Sequence, residues 1–417
     1  MSEEKKMNKS LLNKIPETGI DPIMKIMADF RECTEKNKIN LTVGAYRDEN
    51  LQPYVFNVVR KVEQDILNEE KERGYINFTG DKEFCDETRR LFFSDEHELV
   101  KNNQVVSFQS FSGTGCIRLC TEFLGNYLMQ TNKKPKVYIP KPTWSNHDLI
   151  FEYSNFEIIS YDIFCEKTLN ILEDNLLNIV KNCEENSVLI FHTCAYNPTG
   201  RDISKNTWNK IAEILKQKKV FSIMDTAYQG FASGDLDEDA YAIHCFAKAG
   251  LEFAISQSFS KNMGLYGERA GGLHFIIKDK KDKEANKKLC TKIKYFIEKT
   301  ALSLSLCPIG YGSEIIKRVL KNYKQEWINE LKKAVNRIIN CRQLLYDELK
   351  KLNIDWKHII EQRGMFAYTG LTFQQCEYLI NVRKVFLVRS GRICVCWLNE
   401  KNVGLVAEAI SDAIQKA

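Results

Sequence analysis

Between about residues 105 and 277 the chain alternates short apolar runs with segments whose apolar residues recur every three or four positions. "VVSFQS" (105–110), "KVYIP" (136–140), "FEIISYD" (156–162), "SVLIFH" (187–192) and "VFSIMD" (220–225) are rich in β-branched and aromatic residues and read as strands. "EFAISQSFS" and "GLHFII" add two more. After the first strand, "TGCIRLCTEFLGNYLMQ" places Ile117, Cys120, Leu124 and Leu128 at helical spacing. "SKNTWNKIAEILKQKK" offers Ser204 as a helix cap and sets Trp208, Ile211 and Leu215 on one face. Nearly continuous apolar strands alternating with helices predict an α/β fold, a mostly parallel sheet covered by helices on both faces.

Beyond about residue 312 the period changes. One long amphipathic helix is predicted from "GSEIIKRVL" to "LLYDELKKL", with Leu331, Val335, Ile338, Leu345 and Leu349 on one stripe. Short strands follow in "GMFAYTG", "KVFLV" and "GRICVCWL", then a closing helix, "NVGLVAEAISDAIQ". The expected division is a large domain over 56–311 and a smaller α+β domain over 312–417. Residues 1–55 hold too little core to stand alone and are expected to pack beside the smaller domain.

A chain of 417 residues suits two domains or one large elaborated one. Its 44% hydrophobic and 28% charged content are ordinary for a soluble globular protein. A net charge of +5 suits an acidic small molecule. It does not mark a nucleic-acid binder, whose basic residues would cluster on one element. The one basic run, "KDKKDKEANKK" from Lys278, alternates with acids and reads as solvated surface. No apolar stretch approaches membrane-spanning length. Fourteen cysteines include no CxxC pair, so no metal site is expected and reduced thiols in a reducing compartment are favoured. The opening "MSEEKKMNKSLLNKIPETG" has early acids, no apolar core and no arginine before Arg31, which points to the cytoplasm rather than to a secreted or imported protein.

In open α/β sheets, ligands bind at the carboxyl ends of the strands. Those ends carry "SGTG" (Ser112–Gly115), "PTWSNH" (Pro142–His147), "CAYNPTG" (Cys194–Gly200), "DTAYQG" (Asp225–Gly230) and "SQSFSKNMGLYGERAGG" (256–272). "SGTG" at a strand-to-helix junction offers hydroxyls, free N–H groups and the positive end of a helix, a cradle for phosphate. Alone it is a weak signal, since a plain helix start looks the same. Ser258 and Arg269 supply further donors for the same anion. Asp225 could be no more than a turn cap. It could also keep a pyridine nitrogen protonated, with Tyr228 and Asn197 facing the ring's phenolic oxygen. Lys261, among small residues and near Arg269, is then suited to lose its proton and bond covalently to an aldehyde. Trp144 reads as core or as a stacking face, and His147 as a satisfied buried histidine or as the partner that holds Asp225 ionised. Arg392 reads as a surface arginine or, entering the apolar run "ICVCWL", as a clamp for a carboxylate.

These pieces, in this order, resemble the aspartate aminotransferases, fold type I pyridoxal-phosphate enzymes. The resemblance runs from "LTVGAYRDEN" near residue 41 to the closing helix and is specific in "NPTG", "SFSKNMGLYGERAG" and "SGRI". It implies that Lys261 is the Schiff-base lysine and proton shuttle, that Asp225 pairs with the ring nitrogen, and that Tyr228 and Asn197 pair with the ring oxygen. Trp144 would stack on the ring, and Ser112, Gly113, Thr114, Ser258 and Arg269 would hold the phosphate. Gly44 and Arg392 would meet the substrate's α-carboxylate. The family is homodimeric, and "RGYINFTG" places Tyr75 where a neighbour's phosphate would be reached. The implied reaction moves the amino group of L-aspartate to 2-oxoglutarate in two half-reactions through pyridoxal and pyridoxamine phosphate. An aromatic or broad-range aminotransferase would share nearly all these residues, and a non-catalytic cofactor-binding relative would not need both Lys261 and Arg392. The family pattern breaks at one place. A second arginine, given by the other subunit, normally holds the distal carboxylate, and here "YFIEKTALSLSLCPIGYG" offers only Glu298 and Lys299. Lys299, or a basic side chain elsewhere, is expected to stand in.

Overall fold

The computed structural model describes residues 11–16, 19, 21–69, 74–128, 134–278 and 282–417. The acidic opening (residues 1–10), residues 279–281 of the basic run and the side chain of Leu128 lie outside the described residues.

Seven strands form the main sheet: β1 (Val105–Ser110), β2 (Lys136–Lys141), β3 (Glu157–Asp162), β4 (Val188–His192), β5 (Phe221–Thr226), β6 (Phe253–Ser258) and β7 (Gly271–Ile276). Their order across the sheet is β1-β7-β6-β5-β4-β2-β3. All neighbours are parallel except where β7 runs antiparallel to β1 and to β6. Alternate residues of each strand enter different cores, as the two-residue period requires. In β4, Val188 and Ile190 join a core that includes Ile117 and Cys120 of helix α1 (Ser112–Phe123). Leu189 and Phe191 face the other way, toward Trp208, Ile211 and Leu215 of α2 (Lys205–Leu215). The Ser204 hydroxyl caps α2 by accepting from Thr207 N. Helix α3 (Lys283–Ser305) buries Ile293, Ile297 and Ala301 on the same side as α1.

The long C-terminal helix of the sequence reading is two helices. α4 (Gly310–Asn322) ends at Tyr323, whose backbone leaves the helical region (φ −134°, ψ 21°), and α5 (Lys324–Lys351) starts anew. The apolar stripe runs through this break, so periodicity alone cannot reveal it. The side chains can: Tyr323 gives its hydroxyl to Asp65 (3.2 Å) and lies under Lys61 (4.1 Å to the ring centroid). The turn also buries Trp327 completely, with its indole N–H on Asn262 O at 2.7 Å.

A third core gathers Ile26, Leu41 and Tyr46 from the N-terminal segment with Leu331, Ile338, Leu345 and Leu349 of α5 and with Ile393, Val403 and Val406. Ile39–Asn40 pairs in parallel with Val385–Phe386. Phe366–Tyr368 and Arg392–Cys394 form a short antiparallel pair, and "VCW" turns into a 3-10 helix directly after Cys394. That pairing sets Arg392 opposite Tyr368 and brings the C-terminal region against the N-terminal loop at Thr42–Gly44.

Candidate active site

A cleft of about 150 Å³ opens beyond the carboxyl ends of β1, β5 and β6. Gly44, Ser112, Gly113, Thr114, Trp144, Asn197, Asp225, Tyr228, Ser258, Lys261 and Arg269 all line it. Eleven residues singled out from six separate stretches of sequence therefore meet around one space.

At one end three hydroxyls converge. Ser112 Oγ lies 2.9 Å from Ser258 Oγ and 2.9 Å from Ser260 Oγ. Arg269 donates to Ser260 Oγ (3.3 Å) and to Tyr266 O (3.1 Å). Ser112 opens α1, and no side chain caps that helix. Its first N–H groups are left for a ligand, at the positive end of the helix. Ser112 and Arg269 both hold positive φ (59° and 50°), an unfavourable backbone for residues with a Cβ. Gly271 allows this close approach. A Cβ there would stand 2.5 Å from Gln257 O and 2.7 Å from the Ser112 carbonyl carbon. Hydroxyls, a guanidinium and an uncapped helix end are the donor set that a phosphate dianion requires.

At the other end Asp225 is buried, 5% exposed. His147, wholly buried, meets its Oδ2 at 3.1 Å, which favours the partner reading of that histidine. Thr143 Oγ1 stands 2.9 Å from His147 Nδ1 and 3.1 Å from His192 Nε2. A neutral His147 that gives its Nε2–H to Asp225 accepts at Nδ1 from Thr143, whose oxygen is then free to accept from His192. Burial alone would push the Asp225 carboxyl up. The His147 hydrogen bond, first among the opposing causes, and the nearby His192 and Lys261 outweigh burial and hold it below the usual carboxylate range. Burial holds His192 neutral, with its pKa pushed down to about 3. The cleft thus contains a carboxylate that stays ionised although buried.

Lys261 is the one lysine among the described residues that line the cleft. Burial, reinforced by Arg269 and opposed by Asp225, moves its amine below the ordinary lysine range. Nζ sits 5.5 Å from the Tyr228 ring centroid. Burial raises the Tyr228 phenol, so this hydroxyl remains protonated and able to donate.

Arg392 adjoins the cleft through Asn197, whose Oδ1 it approaches at 3.5 Å. It also donates to Thr42 O (2.9 Å), and its guanidinium lies 4.2 Å from the Phe366 ring centroid. It is 9% exposed, its Nε has no partner and no acid pairs with it among the described residues. Gly44 is required here because a Cβ would stand 2.3 Å from Phe366 Cζ. Trp144 lines the cleft and meets His147 edge-on (5.3 Å). Tyr75 is 85% exposed and outside this cleft. Lys299 is exposed on α3, 4.8 Å from the Tyr295 ring centroid, and Glu298 is half-buried beside it. Neither lines the chain's own cleft.

Four lining residues were missed in the sequence reading: His192, Ala227, Ser260 and Tyr266. His192 ends β4 next to Asp225 in the β4–β5 register, and Ser260 repeats the Ser258 pattern beside Lys261. Tyr266 accepts from Tyr46 N (2.8 Å) and so ties the lysine loop to the loop that carries Gly44.

The model of the family described as aminotransferase class I and II matches residues 36–410, and the chain belongs to that family. Its members use pyridoxal phosphate, and the cleft's donors fit that cofactor. The chain is 35% identical over 394 residues to the mitochondrial aspartate aminotransferase of Xenopus tropicalis, covering 94% of this chain and 90% of that one. The cytoplasmic aspartate aminotransferase of Saccharomyces cerevisiae superposes with a TM-score of 0.92 at 32% identity, over 97% of this chain and 98% of the other. An aromatic-amino-acid aminotransferase from Burkholderia pseudomallei, covalently bound to pyridoxal phosphate, gives 0.91 at 31%, over 97% and 100%.

Proposed function

We propose that the chain is an aspartate aminotransferase that moves the amino group of L-aspartate to 2-oxoglutarate. The observation that carries this is a buried lysine with a depressed pKa, sharing one cleft with a buried carboxylate held ionised and adjoined by an unpaired buried arginine. Pyridoxal phosphate, when bound, supplies an electron-withdrawing ring that accepts charge from the substrate's α-carbon. Ser112, Ser258, Ser260 and Arg269 with the N–H groups of Gly113 and Thr114 would hold its phosphate. Asp225 would pair with the ring nitrogen, Tyr228 and Asn197 with the ring oxygen, and Trp144 with the ring face. Lys261 would carry the covalent bond.

The protein's own groups have distinct tasks. Arg392 offers a planar fork to the α-carboxylate beside Gly44, and binding there gives the guanidinium the anion it lacks. The amine of Lys261, its pKa lowered by burial, takes the proton from the substrate's α-carbon. Asp225 stays anionic through His147 and Thr143, so a positive charge opposite it is stabilised without rearrangement.

Two copies are proposed to form the working unit, with Tyr75 of each completing the other's phosphate site. Exposed Leu302, Leu304, Leu306, Ile309 and Tyr311 support this. Gly310, between Ile309 and Tyr311, lies against Ile76, the neighbour of Tyr75: a Cβ on it would meet Ile76 Cγ2 at 3.3 Å. Lys299 from the second copy is proposed to hold the distal carboxylate by a single mobile charge. The cytoplasm is the proposed compartment, in keeping with fourteen free cysteines, although a named relative is mitochondrial.

The rival with most support is an aromatic or broad-range aminotransferase, since the Burkholderia structure superposes almost equally well. Measuring kcat/KM for aspartate, glutamate, phenylalanine and tyrosine with 2-oxoglutarate as acceptor separates the two. Aspartate should lead, with parallel-line ping-pong kinetics. A preference for phenylalanine would transfer the assignment to the aromatic group.

A further inference from the structure

A second buried arginine without an acidic partner among the described residues is left unused by the reaction as described. It is Arg342, on α5, 2% exposed. Its guanidinium is spent on backbone carbonyls. Nη1 donates to Ile359 O (3.0 Å), and Nη2 to Gly364 O (2.7 Å), Arg363 O (3.3 Å) and Phe366 O. Nε has no partner. Burial lowers its pKa to about 10, which still leaves it charged at neutral pH.

Burying an unpaired cation is costly, and a loop with free carbonyls could be held by neutral donors at lower cost. The loop it grips explains the position. Residues 362–366 touch the "NPTG" turn along its backbone: Arg363 N donates to Gly200 O at 2.7 Å. A Cβ on Gly200 would stand 2.9 Å from Phe366 O, and one on Gly364 would stand 2.5 Å from the Ala195 Cβ. Asn197 therefore rests on this loop through both flanks. Phe366, the last residue gripped, puts its ring on the Arg392 guanidinium and blocks any side chain at position 44. Its strand partner is Cys394, two residues past Arg392.

We infer that Arg342 is a positioning residue for the substrate's α-carboxylate: by fixing the carbonyls of residues 359–366 it sets Phe366 under Arg392 and the turn that carries Asn197. The inference rests on the reading of Arg392 as the carboxylate clamp. It assigns Arg342 no contact with substrate or cofactor.

The test uses the cofactor-loaded protein and the inert dicarboxylate succinate. Binding is measured by calorimetry in wild type, Arg342→Met, Arg342→Lys, Phe366→Leu and Arg392→Met, alongside kcat and KM for aspartate, cofactor content and melting temperature. In Arg342→Met, the succinate Kd and the aspartate KM should rise about tenfold, while kcat stays within about threefold and cofactor content is unchanged. Arg342→Lys keeps the charge but reaches fewer carbonyls, so its rise should be about threefold. Phe366→Leu should weaken succinate in the same direction with every Arg342 bond intact. A residue needed only for folding would lower the melting temperature and leave succinate affinity alone, and that result overturns the inference. If Arg342→Met does not fold, Arg342→Lys with wild-type affinity is enough to overturn it. If Arg392→Met weakens succinate and the folded Arg342 variants do not, the Arg342 inference falls by itself. Unchanged binding in Arg392→Met removes both readings.

Discussion

Replacing Arg392 with methionine should cost activity without costing stability. The side chain is 9% exposed and pairs with no acid among the described residues. Its partners are Thr42 O at 2.9 Å, Asn197 Oδ1 at 3.5 Å and the Phe366 ring at 4.2 Å. The stabilising part of that set is one good charged hydrogen bond, about 1.5–3 kcal/mol, and a cation–π contact of about 1–2 kcal/mol. Against it stands the desolvation of an uncompensated guanidinium, which costs several kcal/mol. Methionine of similar reach fills the space and restores that cost, so Arg392→Met should melt within a few degrees of wild type or above it. Activity moves the other way. A bidentate carboxylate clamp gives up two charge-assisted bonds, about 3–6 kcal/mol, or two to four orders of magnitude in kcat/KM for aspartate. Calorimetric melting and steady-state kinetics on the same preparation read both quantities. A clear fall in melting temperature together with near-normal kcat/KM would make Arg392 structural and refute the reasoning.

Three further outcomes are expected. Asp225→Ala should lower kcat roughly a hundredfold or more while leaving the fold intact, because it removes the preset negative charge at the ring's far end; a kcat within tenfold of wild type in steady-state assays would exclude that role. Mixing inactive Lys261→Ala chains with inactive Tyr75→Ala chains should regenerate activity, since one of the two clefts in each hybrid is then whole; a dilute, verified monomer with full activity would end the shared-site account. Lys299→Ala should lower kcat/KM for aspartate and glutamate by about 1–3 kcal/mol and spare phenylalanine and tyrosine; equal losses for all four donors would clear Lys299 of binding the distal carboxylate.

Much of this was legible in the sequence. The inner strands of the sheet are buried on both faces, so they read as largely apolar runs and appear almost at their observed boundaries. The cleft residues could be found because the carboxyl ends of those strands carry polar, aromatic and glycine residues that a core does not need. What escaped was tertiary in origin. The break at Tyr323 lies inside a continuous amphipathic stripe and is produced by its contacts with Asp65 and Lys61, more than 250 residues away in sequence. His192 looked like the last residue of a strand, and only the β4–β5 register puts it against Asp225. Gly44 was named by family resemblance, and its physical cause, the Phe366 ring 2.3 Å from a would-be Cβ, needs both segments in place. Tyr75 and Lys299 came from resemblance alone, because a site shared between two chains leaves no pattern within one.

The central claim is that Lys261 holds pyridoxal phosphate and that the loaded protein exchanges amino groups with dicarboxylic substrates. The direct measurement is the visible absorption of the purified, cofactor-loaded chain, titrated first with L-aspartate and then with 2-oxoglutarate. The account predicts a visible band that fades with aspartate and returns with 2-oxoglutarate, and that never forms in Lys261→Ala. A band that ignores aspartate, or one that is unchanged in Lys261→Ala, would contradict it.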